Sequence, residues 1–368
     1  MMSLPTHTPV WRIKNSPKDS VVLDLSDDAT FALTEEPVPH IEDGEMLVEN
    51  LYISNDPAQR GWIQKGVLPE RLYTAPVREG DVMATHSVAR VLAFKDNTSH
   101  GFKVNDLVYC LTAGWRQYAV VKTDPSACLP VMVPENVSPT AALGLFGVPG
   151  FTAYYGLRDI LKLQEGESLI VSAAAGAVGN VVVQYAKKVI KAKKVIGIAG
   201  SDEKCHWIKE LGADVALNYK SDTFPQDLID ATSDFVDAYF DSVGGFVLDQ
   251  VIPRIKQNGR IAACGAISGY NKDVGKPTMG TTWVEVVTNR LSIQGFVVLD
   301  FMFPKDGSNR VATEAFPDIT GALQRGDITL ERAEDIVEVP FIDIPKVWGR
   351  LFTGANTGKL VTKLTFSA

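Results

Sequence analysis

One stretch, SLIVSAAAGAVGNVVVQYAKK at residues 168–188, constrains the fold more than any other. It reads as a strand, a turn of small residues and a helix. Within it, Ala174-x-Gly176-x-x-Gly179 has the spacing of a dinucleotide fingerprint, with alanine in the first glycine place. Such a turn needs a tight bend, then a residue without a bulky Cβ where backbone meets pyrophosphate. The last glycine lets the helix pack close to the strand. The helix start then offers N–H groups and a positive dipole end to phosphates. Ala174 suits its place if it keeps a negative φ. Taken alone, the motif is equally a tight strand-to-helix turn, so its surroundings decide.

Those surroundings agree. KVIGIAG (194–200), ADVALNY (213–219), FVDAYFD (235–241), RIAACGA (260–266) and LSIQGFVV (291–298) read as strands, with helices expected near 178–190 and 202–211. Alternation of this kind predicts βαβ units and a doubly wound parallel sheet. Residues 1–130 differ. MLVENLYIS (46–54), VARVLAF (88–94), DLVYCL (106–111) and QYAVV (117–121) are short apolar runs between turn residues, which predicts a mostly β domain. IVEVPF (336–341) and a helix near 343–353 return to that style. The organisation expected is therefore a mostly β domain, residues 1–138 and 328–368, interrupted by a nucleotide-binding domain, residues 139–327.

Composition narrows the function classes. Thirty-six basic against 44 acidic side chains give a net charge of -8, a poor balance for a broad nucleic-acid footprint. Cys110, Cys128, Cys205 and Cys264 lie far apart, which fits a reducing compartment and no disulfide framework. His7, His40, His86, His100 and His206 are scattered, so no metal centre is expected, and no G-x-S-x-G elbow is present. Val137–Leu157 is uncharged, but Pro139, Pro149 and four glycines make it a poor membrane span. MMSLPTHTPVW lacks the apolar core of a signal peptide and TFSA is no lipidation signal. A cytoplasmic protein without membrane or nucleic-acid partners is the expectation.

The second strand of the alternating region carries the cofactor choice. An NAD enzyme places Asp or Glu at its end, for the ribose 2′-OH. Here it ends Ala199-Gly200-Ser201, with Lys204 following. Glycine leaves room for a 2′-phosphate and Lys204 supplies positive charge, which points to NADP. Asp202 is read as the N-cap of the next helix, and Lys204 by itself would be an ordinary solvated lysine.

With these residues in place the chain resembles the medium-chain dehydrogenase/reductase superfamily, and within it the zinc-independent alkenal/one oxidoreductases, the group of prostaglandin reductases, plant double-bond reductases and curcumin reductase. The likeness rests on LYISNDPAQRGW (51–62), LGLFGVPGFTAYYGL (143–157), AAAGAVG (173–179), AGSDEK (199–204), NYK (218–220), YFDSVGG (239–245), GRIAACGAISGYN (259–271), QGFVV (294–298) and FTGANTGKLV (352–361), all in the family's order. It implies a Rossmann-type sheet inserted in a mostly β, GroES-like catalytic domain, with substrate in the cleft between the two.

The resemblance also implies a site. Gly176, Ala177, Val178 and Gly179 would lie on the pyrophosphate. Ser201, Lys204 and Tyr219 would hold the 2′-phosphate side. Ser242 and the run Cys264, Gly265, Ala266, Ile267, Ser268 and Tyr270 would line the cofactor. Phe296, Val297 and Val298 would lie by the nicotinamide, and Asn356 would bind the nicotinamide half. Each residue has a plainer local reading as strand, turn or core; their joint order outweighs it. Two departures stand out: Ser242 replaces a frequent Asn and reaches less far, and Ala58-Gln59 replace an aromatic residue and Met, which opens the implied substrate pocket. Tyr73 is a second pocket candidate. Trp62 and Trp115 read either as cleft walls or as core. A homodimer is implied, through the edge strand LSIQGFVV.

The reaction implied is NADPH-dependent, metal-free reduction of a C=C bond conjugated to a carbonyl in an enal or enone. Tyr270 is the candidate donor to the oxygen on which charge develops. A quinone reductase of the same superfamily is the first alternative. An alcohol dehydrogenase, and a non-catalytic NADPH-binding protein that kept the fold, follow.

Overall fold

The computed structural model of the chain describes residues 4–95, 101–271 and 282–365. Of the segments read above for targeting, Met1–Ser3 and Phe366–Ala368 lie outside the described residues. Two compact units are present. One comprises Met1–Leu143, Asp335–Ala355 and Leu360–Ala368; the other comprises Gly144–Glu334 and Asn356–Lys359.

The first unit is mostly β. It contains β1 (His7–Ile13), β2 (Phe31–Pro37), β3 (Glu45–Ser54), β4 (Ser87–Phe94), β5 (Leu107–Cys110), β6 (Tyr118–Lys122) and β7 (Cys128–Pro130). β1 and β2 form an antiparallel pair of their own, absent from the sequence reading. β2, FALTEEP, ends in residue types that strands avoid, so its own composition does not announce it. Its partner supplies the pairing. Phe31 of β2 meets Trp115 and Trp348 at centroid distances of 5.0 and 5.7 Å, and both indoles are fully buried. Trp115 is therefore core. Trp62 is only partly buried, and its indole N–H donates to the Tyr73 hydroxyl at 3.4 Å.

The second unit is built on β8 (Ser168–Val171), β9 (Lys194–Ala199), β10 (Val215–Asn218), β11 (Val236–Asp241), β12 (Ile255–Ala263) and β13 (Ser292–Gly295). All pairings are parallel, in the order β10-β9-β8-β11-β12-β13. This is the Rossmann order, and it reverses between β8 and β11, where open α/β sheets take ligands at the carboxyl ends. Ile170, Ile196, Ile198, Tyr239 and Ile261 bury one face with Phe224 and Leu228 from the helix Phe224–Ala231. Strands covered on both faces read as continuous apolar runs, which is why SLIV and VIGIA were legible.

Several boundaries differ from expectation, the unit bounds at Leu143 and Glu334 and those of β12 and β13 among them. β12 starts at Ile255, five residues before the apolar run, with Asn258 at φ +62° and a register shift against β11. A Cβ on Gly259 would stand 2.3 Å from Ile255 Cγ2, so this irregular strand start depends on glycine. β13 stops at Gly295, and Phe296–Val298 leave the sheet. The expected helix after the first turn runs Gly179–Gln184 and continues as a π-helical turn, Tyr185–Val189.

β14 (Glu334–Pro340) and β15 (Lys359–Thr365) complete a sheet ordered β14-β15-β3-β4-β5-β7, with β6 on the other side of β3. The helix between them, Ile344–Thr353, is stopped by Gly354 in the left-handed region. Among the described residues no helix is long and apolar enough to cross a membrane.

Candidate functional site

The fingerprint turn opens directly after β8. Ala173 takes the strained conformation, φ +47°, and Ala174 is not among the positive-φ residues. Gly179 is indispensable for packing: a Cβ there would meet the Ala173 carbonyl oxygen at 2.2 Å and Ala174 Cα at 2.6 Å. Gly176 is less crowded, with the Ala173 oxygen 3.1 Å from a would-be Cβ. Its N–H donates to the Ala173 carbonyl at 2.8 Å. Asn180 reaches back and donates to the Gly176 and Ala177 carbonyls at 2.7 and 3.1 Å. These bonds hold the turn, and the Asn180 N–H adds a further one to the Gly176 carbonyl at 3.1 Å.

The returning segment Asn356–Lys359 is sewn to this turn. Gly358 forms a parallel bridge with Gly176, and its N–H donates to the Ala175 carbonyl at 2.8 Å. Gly358 sits at φ +67°, where a Cβ would meet the Ala333 carbonyl at 2.2 Å. Lys204 Nζ donates to the Asn356 carbonyl at 2.6 Å, and the Asn356 side chain donates to the Gly358 carbonyl at 3.1 Å. Asn356 thus lies with Lys204 and beside the fingerprint turn.

At the end of β9, a Cβ on Gly200 would stand 2.9 Å from the Tyr219 ring. Ser201 caps the next helix by accepting from the Lys204 N–H at 3.3 Å. The cap expected at Asp202 is displaced by one residue. Asp202 is already helical and accepts from Asn218 Nδ2 at 2.8 Å. Tyr219 is partly exposed, with Lys220 Nζ 5.9 Å from its ring centre. Gly200, Ser201, Lys204, Tyr219 and Asn356 therefore form one neighbourhood beside the fingerprint turn.

The strand-order reversal holds the other neighbourhood. Asp241, last residue of β11, is buried and was not singled out by sequence. Its Oδ1 accepts from Ser172 Oγ, the Tyr239 hydroxyl and the N–H groups of Val243 and Gly244, at 2.7–3.0 Å. The legible signal was an acid ending an apolar strand before paired glycines, AYFDSVGG. Ser242 Oγ next to it is buried and lies by the Cys264 thiol. Backbone and side-chain bonds from Ser268 to the Val243 carbonyl tie this turn to the Cys264–Tyr270 loop. Burial pushes the Cys264 thiol up to about 12, so it stays neutral and is no nucleophile. The Tyr270 hydroxyl accepts from the Ala266 N–H at 3.3 Å, which leaves its own proton to donate. Burial raises that phenol's pKa and keeps it protonated.

Phe296 rests edge-on against Phe240 of β11, ring centres 6.2 Å apart. The absence of a side chain at Gly156 makes room for both rings. Val298 is buried. Ala58 and Tyr73 belong to the first unit, where Ala58 precedes the short helix Gln59–Trp62. Gln59 is fully buried and donates to the Ala84 carbonyl at 2.7 Å, so it is structural. Among the described residues no group of three or more metal-ligating side chains occurs.

The donor set suits a dinucleotide: a glycine turn too tight for a Cβ at Gly179, a lysine beside the strand end where the Tyr219 ring lies over Gly200, and a buried hydroxyl at Ser242. Comparisons agree with that chemistry. Residues 177–313 match the zinc-binding dehydrogenase family and residues 11–129 the N-terminal domain of oxidoreductases. Prostaglandin reductase 1 of Rattus norvegicus is 36% identical over 337 residues, covering 91% of this chain and 94% of the relative. NADPH-dependent curcumin reductase of Escherichia coli is 33% identical, covering 91% and 92%. The crystal structure of CurA from Vibrio vulnificus in complex with NADPH aligns with a TM-score of 0.83 at 32% identity, covering 98% of this chain and all of that one. The chain belongs to the medium-chain dehydrogenase/reductase superfamily, in the group of prostaglandin reductase 1 and the NADPH-dependent curcumin reductases.

Proposed function

We propose that this protein is an NADPH-dependent reductase of the C=C bond in α,β-unsaturated aldehydes and ketones. The observation that carries the reading is the full-length likeness to prostaglandin and curcumin reductases, with Gly200 and Lys204 where an NAD enzyme would carry an acid. Gly176–Gly179 would hold the pyrophosphate. Ser201, Lys204 and Tyr219 would hold the 2′-phosphate, and Asn356 is read with this phosphate side because of its bond to Lys204. Ser242, Cys264–Tyr270 and Phe296–Val298 would bound the nicotinamide half. When bound, NADPH supplies the hydride that adds to the β-carbon. Charge then gathers on the carbonyl oxygen, where a donor that binds the enolate more tightly than the enone lowers the barrier. Tyr270 is suited to that task, directly or through a ribose hydroxyl, since its proton is not used in the bond to Ala266. The scattered cysteines and histidines favour a reaction without zinc.

NADPH oxidation with an enal, an enone and a quinone, each with and without a chelator, tests this reading. The enal and enone should be reduced at rates the chelator does not change. Removing one oxyanion donor costs up to about 10²–10³ in kcat, and less where ribose or water shares the task. Tyr270→Phe should therefore slow enone reduction at least roughly tenfold under single-turnover conditions, about 1.4 kcal/mol. An unchanged rate would make Tyr270 a pocket wall only.

A homodimer is proposed as well. All four residues of β13 are exposed at an open sheet edge, and Trp283, Val284 and Val287 of the preceding helix are exposed too. Apolar side chains beside an unpaired edge favour strand-to-strand association. Sedimentation should give twice the chain mass, and Ile293→Lys should shift it toward the monomer. A monomeric parent protein would remove the proposal.

A further inference from the structure

Asp241 is the most deeply committed acid of the second unit and has no role in the assignments above. It is 3% exposed, and each described hydrogen bond to its carboxylate is one it accepts. The donors come from the end of β8, from β11 and from the turn that follows. Its backbone carbonyl also accepts the N–H groups of Cys264 and Gly265, at 2.8 and 3.2 Å. The residue therefore joins three strand ends at the point where the strand order reverses. Among the described residues no lysine, arginine or histidine forms an ion pair with it.

A buried charge without a cation is costly unless something else balances it. An asparagine oxygen could accept the four donors at Oδ1, but its amide would face the Gly244 N–H that Oδ2 accepts at 3.2 Å. The carboxylate's field also reaches beyond its own turn. It contributes to raising the phenols of Tyr239 and Tyr270 and the thiol of Cys264, after burial in each case. The Cys264–Tyr270 loop thus lies within the field of a carboxylate that is hydrogen-bonded but paired with no cation among the described residues.

A nicotinamide ring bounded by that loop would feel the same field. Loss of a hydride, which leaves with both electrons of the C–H bond, turns the neutral dihydronicotinamide into a cation. We propose that Asp241 is the counter-charge for the oxidised ring, so that this site binds NADP⁺ more tightly relative to NADPH than it would without the carboxylate. By linkage, that preference makes the bound cofactor a stronger hydride donor. The inference rests on the placement of NADPH in this unit.

Dissociation constants for NADPH, NADP⁺ and 2′,5′-ADP, measured by calorimetry on the parent protein and on Asp241→Asn, test it. The substitution should raise the ratio Kd(NADP⁺)/Kd(NADPH) at least about fivefold, the lower end of ordinary coupling. Affinity for 2′,5′-ADP, which lacks the nicotinamide, should stay unchanged and report an intact fold. Equal losses for NADPH and NADP⁺ would reduce Asp241 to a builder of the turn and overturn the proposal. If Asp241→Asn does not fold, Ser242→Asp adds a charge beside it and should move the ratio the other way; an unmoved ratio overturns the proposal too. A parent protein that binds neither NADPH nor NADP⁺ removes the cofactor assignment itself, a different and separately visible failure.

Discussion

Lys204→Ala weakens NADPH binding about ten- to a hundredfold and NADH binding only a few-fold. The larger loss is the charge-assisted contact to the 2′-phosphate, worth about 1.5–3 kcal/mol. The smaller loss comes from the second task of the side chain. Its ammonium group donates to the Asn356 carbonyl at 2.6 Å, and Asn356 belongs to the segment bridged to the phosphate turn at Gly176. Without that tie the segment is held by the Gly358 N–H and the Lys359 N–H, at 2.8 and 2.7 Å. Three ammonium protons allow both tasks at once. Fluorescence titration of the two cofactors separates them. Equal losses for NADPH and NADH would mean that Lys204 anchors the segment and does not read the phosphate. Lys204→Arg keeps charge but changes its geometry, so it should recover part of the NADPH preference.

Gly179→Ala destabilises the second unit by about 3 kcal/mol, the upper end for inserting one carbon into a closed contact. The added Cβ would stand 2.2 Å from a carbonyl oxygen and 2.6 Å from a Cα, and neither can swing aside as a side chain could. The turn or the whole helix must move. Gly176→Ala meets its nearest atom at 3.1 Å and should cost far less stability. It should still weaken NADPH, because its backbone is the part meant to approach the pyrophosphate. Chemical denaturation followed through the second unit, together with NADPH titration, compares the two variants. Parental stability in Gly179→Ala would show that the turn is looser than its contacts imply.

The contrast between these glycines shows how far local sequence reaches. The fingerprint spacing identified both, and assigned the close helix packing to Gly179, because strand, turn and helix are set by neighbours within a dozen residues. The same locality made β8, β9 and the helix Asp202–Leu211 readable: each buries an apolar run or stripe whose period survives in the sequence. Where a signal is short and polar, locality failed. β2 exists because β1 pairs with it, and β12 begins within IKQNGR because β11 and a glycine accommodate the irregularity.

The site divides along the same line. Local spacing marked Gly176, Gly179, Gly200 and Lys204, since each follows a strand whose position the alternation reveals; Tyr270 was marked by the family resemblance. The partner of Lys204 lies 152 residues away, and only the folded chain brings Asn356 to it. Asp241 looked like one more strand residue before a glycine turn. Its weight comes from donors on β8, β11 and the following turn, which converge when parallel pairing aligns their ends. The sequence by itself determined the βαβ scaffold, the tight glycine turn after β8 and the glycine that ends β9, because near-neighbour periodicity and steric demands encode them. Tertiary structure alone decided the Lys204–Asn356 tie, the burial of Trp115 and the environment of Asp241, because each depends on groups distant in the chain and therefore on the register in which the strands pair.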